Sequence, residues 1–129
     1  MATINETSHR IDSGEPGCQV YLRNKFRSDL PEIYDAARTV LFVHGATYAS
    51  TLTFDYEIEG ASWMDQLAQE GFDTWCIDLL GYGSSDRPTA MSEPAEDHPP
   101  ICDTRMAADD VNRAIAFIQH QRDIRQLNL

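Results

Sequence analysis

The residues best suited to chemistry fall in two short clusters. His44-Gly45-Ala46-Thr47 follows directly on the apolar run Val40-Leu41-Phe42-Val43, and Asp78 is followed by Gly81, Gly83 and Ser84 in the stretch WCIDLLGYGSS. A glycine at the carboxyl end of a buried strand lets the main chain come close to a ligand, in the crevice where open α/β sheets bind. It leaves the N–H groups of Ala46 and Thr47 as candidate donors to an anion, the species that acyl transfer develops in its transition state. The plain alternative is that His44-Gly45 is a tight strand exit. Asp78 stands at the end of a second apolar strand, and a buried carboxylate must find donors. The backbone N–H groups of the glycine-rich turn 81–85 are within short range, so Asp78 reads as the fastener of that turn. The competing reading gives it a proton-transfer role.

These clusters need elements to place them. Residues 39–43 are β-branched and large apolar, too few for a helix, and read as a central parallel strand buried on both faces. Residues 72–80 form a second core strand. Between them Ser62 precedes Trp63, with Asp65 three positions on, the pattern of an N-cap and its reciprocal acid. Trp63, Met64, Leu67 and Ala68 make one apolar face, and Gly71 supplies a left-handed stop. A short helix therefore links the two strands, as a βαβ crossover requires. Residues 48–60 lack helical spacing and are expected to be an ordered loop near a pocket mouth.

Upstream, 6–11 and 19–26 read as two strands of a hairpin, split by the turn formers Ser13-Gly14-Glu15-Pro16-Gly17, with residues 1–13 expected to be partly disordered. In the second strand Val20, Leu22 and Phe26 alternate with Gln19, Tyr21, Arg23 and Lys25, giving an apolar and a wet face; Asn24 interrupts the apolar one. Residues 27–37 read as a loop. Downstream, the acidic, proline-rich stretch 89–100 reads as an extended surface excursion. Asp103 or Thr104 then caps a helix on which Ala107, Val111, Ala114, Ile115 and Ile118 recur at helical spacing and Asp109 faces Arg113. Arg122 and Arg125 sit at the end where the helix dipole favours cations.

The stretch VLFVHGATYAS, followed after a helix by WCIDLLGYGSSDRP, resembles the N-terminal part of an α/β-hydrolase. The first piece is similar to that family's His-Gly oxyanion loop. The second is similar to its Asp-x-x-Gly-x-Gly-x-Ser turn, carried here by Asp78, Gly81, Gly83 and Ser84. The resemblance implies hydrolysis of an ester, amide or related bond of a small-molecule substrate through a serine acyl-enzyme, without a cofactor. It makes Ala46 the first backbone donor of the oxyanion hole, Thr47 a second choice, and His44 a structural residue whose ring bonds to backbone around the loop. The family carries its nucleophile on a Gly-x-Ser-x-Gly elbow after the next strand, with the acid and histidine further on. Leu127-Asn128-Leu129 resembles the opening of that strand. Residues 1–129 are therefore expected to be the N-terminal part of one α/β-hydrolase domain. Its fold class is α/β, an incomplete sheet with an antiparallel hairpin, then a parallel βαβ unit, and flanking helices. Such a chain carries no nucleophile-acid-histidine triad and has no triad-dependent activity by itself.

A second reading is a non-catalytic interaction or assembly half-domain. In the family the His-Gly strand lies between the Asp-x-x-Gly strand and the one that opens at Leu127, so its outer edge is expected to be unpaired and open to self-association. A third, a nucleotide-binding domain, fits poorly, because Asp86 stands where the dinucleotide fingerprint needs its third glycine. Ser84 and Ser85 are poor nucleophiles in sequence terms, since no histidine is placed to serve as base.

The totals exclude other classes. The 129 residues suit one domain. With 21 acidic against 10 basic residues the net charge is -11, which repels phosphate backbones and anionic bilayers, so neither nucleic acid nor membrane is an expected partner. No apolar run approaches the roughly 20 residues of a membrane span, and residues 1–10 lack the apolar centre of a secretory signal. Cys18, Cys76 and Cys102 are odd in number and far apart, suiting reduced thiols in a cytoplasmic protein. Glu93, Glu96, Asp97 and His98 lack metal-ligand spacing, and no metal is expected.

Overall fold

The computed structural model describes residues 1–31 and 34–129. Four strands, β1 (Ile4–Asp12), β2 (Gln19–Arg27), β3 (Thr39–Val43) and β4 (Asp73–Asp78), form one mixed sheet in the order β1-β2-β4-β3. β1 and β2 are an antiparallel hairpin, β2 pairs antiparallel with β4, and β3 pairs parallel with β4. Helix α1 (Trp63–Gln69) makes the crossover from β3 to β4, and α2 (Thr104–Arg122) follows. The expected α/β architecture is present, as an open sheet. Most of the stretch 1–13, expected to be partly disordered, is strand: all nine residues of β1 pair with β2, from Ile4 opposite Arg27 to Asp12 opposite Gln19. In the expected loop 27–37, residues Ala36–Arg38 form a 3-10 turn, and positions 32 and 33 lie outside the described residues.

The period of two along each strand sorts its side chains between two helices. Val20, Leu22, Leu41, Trp75 and Ile77 meet Ala114 and Ile118 of α2, while Phe42 and Cys76 meet Met64 of α1. β3 and β4 are covered on both faces, which is why their sequences are nearly continuous in apolar residues. Both helices start as the sequence indicates. The Ser62 hydroxyl accepts from Asp65 N–H at 3.0 Å and the Asp65 carboxylate from Ser62 N–H at 2.9 Å. Asp103, rather than Thr104, caps α2, accepting from Met106 N–H at 2.8 Å.

Two polar expectations are corrected, and a third residue, Arg122, gains a role. The second face of β2 is not wet. Asp55, whose side chain is 2% exposed, accepts from Arg23 at 2.8 Å and from Lys25 at 2.7 Å. Lys25 also reaches Asp65 of α1 at 2.8 Å. Alternation locates a polar face but cannot say that acids some thirty residues onward cover it. Asn24 does not break the core; it is buried and donates to Asp73 at 2.8 Å and to the Thr74 carbonyl at 2.9 Å. Arg122 is in the last turn of α2, as expected, but does more than meet the helix dipole. It grips the buried Asp73 carboxylate at 2.8 and 3.1 Å, donates to Asn24 at 2.8 Å, and lies 4.8–5.4 Å from the ring centres of Tyr34, Trp75 and Phe26.

The excursion 89–100 is folded into two 3-10 turns, Thr89–Ser92 and Ala95–Asp97. Near the other end of the sheet, Asn128 forms a parallel bridge with Val40, its carbonyl accepting from Leu41 N–H and its N–H donating to the Thr39 carbonyl, both at 2.9 Å. β3 thus lies between β4 and the 128 segment. Among the described residues no helix is long and apolar enough to cross a membrane.

Candidate oxyanion loop at the carboxyl ends of the parallel strands

Because β3 and β4 are parallel neighbours, the loops that leave their carboxyl ends emerge side by side. Pairing of β3 stops at Val43, and residues 45–48 are exposed. Among the described residues, no hydrogen bond takes the N–H of Ala46 or Thr47. The buried His44 ring holds the exit. Its Nε2 accepts from Leu79 N–H at 2.9 Å, which places the ring proton on Nδ1, and Nδ1 then donates to the Gly45 carbonyl at 2.6 Å. Both ring nitrogens are bonded to backbone, so His44 ties one strand exit to the other and has no free nitrogen to act as a base.

Asp78 is fully buried at the end of β4. Its carboxylate accepts from Ser84 N–H at 3.1 Å, from Thr51 N–H at 3.0 Å, and from the Thr51 hydroxyl at 2.9 Å. It fastens the glycine turn and also the loop that follows β3. Gly83, at φ +49°, has no room for a side chain, because a Cβ there would land on the Asp78 carboxylate. Gly81, at φ +85°, starts the same turn. The serine that completes this turn is Ser85 and not Ser84. Ser85 is buried, donates to the Asp78 carbonyl at 2.5 Å and accepts from Tyr21 N–H at 2.8 Å, whereas Ser84 is exposed. Neither is a nucleophile in this arrangement. Nor is the turn a phosphate cradle: the N–H groups of Gly81, Tyr82, Ser84 and Ser85 all have internal acceptors, and Asp86 is held by Arg10 at 2.5 Å and by Gln19 N–H at 2.7 Å.

Three residues near the site escaped the sequence reading. Thr51 is the second client of Asp78. Asp55 anchors the same loop to β2 and to the Ser62 hydroxyl at 2.6 Å. Tyr82 donates its hydroxyl to the Ala46 carbonyl at 2.7 Å and packs its ring 4.7 Å from that of His44. The visible signal was an aromatic residue between Gly81 and Gly83, but its partner lies 36 positions away. Cys76, two residues before Asp78 on β4, is no reactive thiol: burial, and after it the charge of Asp78, pushes its pKa up to about 12. Among the described residues no serine hydroxyl bonds a histidine ring. The Thr7 hydroxyl lies 3.2 Å from His9 on the outermost strand, and His98 pairs with Glu93 at 2.9 Å in the excursion. No three His, Cys, Asp or Glu side chains among the described residues converge as a metal site.

An open α/β sheet with a His-Gly strand exit beside an Asp-anchored glycine turn defines a class, and comparison with known proteins agrees. A family model for the alpha/beta hydrolase fold matches residues 38–129, and the chain belongs to that family. A hypothetical protein from Pseudomonas aeruginosa superposes with a TM-score of 0.62 at 12% identity, covering 92% of this chain and 32% of its own. A prolyl endopeptidase superposes with a TM-score of 0.59 at 16% identity, covering 95% of this chain and 16% of its own. At these identities the likeness is one of fold. No curated protein matches the chain.

Proposed function

We propose that the loop after β3 is the oxyanion loop of a serine-type hydrolase that cleaves an ester, amide or related bond. Ala46 N–H is its first donor and Thr47 N–H its second. The observation that carries this is the pair of consecutive N–H groups, exposed and without acceptors among the described residues, at the carboxyl end of a parallel strand. Charge appears on the substrate oxygen only in the transition state, so donors already held in place stabilise that state without reorienting. The nucleophile, acid and histidine belong to a part of the enzyme that these 129 residues do not contain, and no cofactor takes part.

The test begins with the coding sequence after the Leu129 codon, where an apolar strand and a Gly-x-Ser-x-Gly elbow are expected in frame. The longer product should label with a fluorophosphonate probe, and the 129-residue chain should not. An Ala46→Pro variant of the longer product, lacking that N–H, should lose about 10²–10³-fold in kcat. A stop codon directly after Leu129, or labelling of the 129-residue chain, would overturn the proposal.

A second reading, an assembly half-domain, draws on a different observation. Beyond the Asn128 bridge, β3 borders an apolar groove of about 560 Å³ lined by Phe42, Val43, Phe54, Trp63 and Val111, with Trp63 58% exposed. Self-association through this edge should appear as dimers or larger species in the ultracentrifuge; a monomer at all concentrations would count against it.

A further inference from the structure

We infer that Tyr82 is a positioning residue that aims the Thr47 N–H, acting in concert with the His44 ring, which aims the Ala46 N–H. The argument rests on peptide geometry. In a planar trans peptide the C=O and N–H point in opposite directions, so whatever holds the oxygen also sets where the N–H points. The structure contains no cis peptide among the described residues. The Gly45 carbonyl shares its peptide with the Ala46 N–H, and it is held by His44 Nδ1 at 2.6 Å. The Ala46 carbonyl shares its peptide with the Thr47 N–H, and it is held by the Tyr82 hydroxyl at 2.7 Å. Two successive peptides are thus pinned by their oxygens, and both N–H groups are turned away from the His44–Tyr82 pair.

Each clamp is itself fixed. His44 is tied to β4 through Leu79 N–H, and the two rings lie 4.7 Å apart at 60°. Tyr82 donates its own N–H to the Leu79 carbonyl and accepts from Ser85 N–H, both at 2.9 Å, within the turn that Asp78 fastens. The order in the glycine turn is therefore transmitted through one hydroxyl to a peptide 36 residues earlier. Without it the exposed Ala46–Thr47 peptide could flip, and the second donor would point elsewhere. This goes beyond the proposed oxyanion function and rests on it for its catalytic meaning.

The test uses the 129-residue chain and its Tyr82→Phe variant, which keeps the ring against His44 and deletes the hydroxyl. Backbone NMR relaxation reads the order parameter of each amide. In Tyr82→Phe the Thr47 amide should fall from a rigid value of about 0.85 to below about 0.6, while Ala46 and Leu79 stay rigid. An unchanged Thr47 amide overturns the inference. Titration with methylphosphonate, a tetrahedral anion, separates it from the reading beneath it. Both amides should shift in the unmodified chain, and only Ala46 in the variant. If Thr47 loosens in the variant yet neither amide responds to the anion in the unmodified chain, the clamp stands and the oxyanion function falls.

Discussion

Replacing Asp78 by alanine removes a buried carboxylate that holds the glycine turn and the loop after β3 together. Three donors lose their acceptor: Thr51 N–H, the Thr51 hydroxyl, and Ser84 N–H. A stranded buried donor costs about 1–3 kcal/mol. The Thr51 N–H is half-buried and bears most of that; Ser84 is exposed, so water replaces much of its loss, and the hydroxyl can rotate to another acceptor. The sum is about 2–4 kcal/mol, a large share of the 5–15 kcal/mol typical of a native domain. With a urea m-value of about 1–3 kcal/mol/M, the unfolding midpoint of the 129-residue chain should fall by about 1–2 M. Thr51→Val deletes only the hydroxyl contact and should cost about 1 kcal/mol. In a double-mutant cycle the two changes should be non-additive by about the cost of the Thr51 hydroxyl contact, because both remove that bond. A loss below about 0.5 kcal/mol in Asp78→Ala would refute the reasoning, since it would mean that Asp78 is not the common anchor.

Two further outcomes follow from side chains that pair across the sheet. Arg122→Met leaves the Asp73 carboxylate buried without its cation and should cost about 3–5 kcal/mol in urea unfolding, part of it recovered by adding Asp73→Asn; a cost under about 1 kcal/mol would show that Asn24 and Trp75 satisfy Asp73 unaided. The His9 ring packs between Trp75 and Phe117, and burial, then the Arg122 charge, lowers its pKa below the ordinary 6.5. As pH falls below 6.5 the unfolded chain takes up this proton first, so stability declines until the pH reaches the folded value; His9→Phe should flatten that part of a melting-temperature profile between pH 7 and 5, and an unchanged slope would exclude His9 as its source.

The legible parts of this protein are those whose partners lie within a few residues. The Ser62–Asp65 cap, the Asp103 cap, the βαβ unit and the fastening of Asp78 to its own turn are all local in sequence. The same locality explains the failures. Asn24 looked like a flaw and Arg122 like no more than a cation at a helix end, because Asp73, which bonds both, is 49 residues from each and the two are 98 residues apart. Arg23 and Lys25 looked wet because Asp55 is 32 and 30 residues away. The slip from Ser85 to Ser84 has the same root, since two adjacent serines differ only in which one faces the Asp78 carbonyl and Tyr21 N–H.

By itself the sequence determined the strand exits, the helix ends and the glycine turn. These depend on steric limits and short-range hydrogen bonds that a residue carries wherever it is placed. Tertiary structure alone decided what those pieces do to one another. Side-by-side emergence of the two loops comes from parallel pairing of β3 with β4. That pairing brings His44 to Leu79 and Tyr82 to Ala46, so two peptide planes are oriented by partners no local pattern could supply. The direction of an N–H depends on what holds the carbonyl behind it, and here that was settled only when the sheet closed the distance.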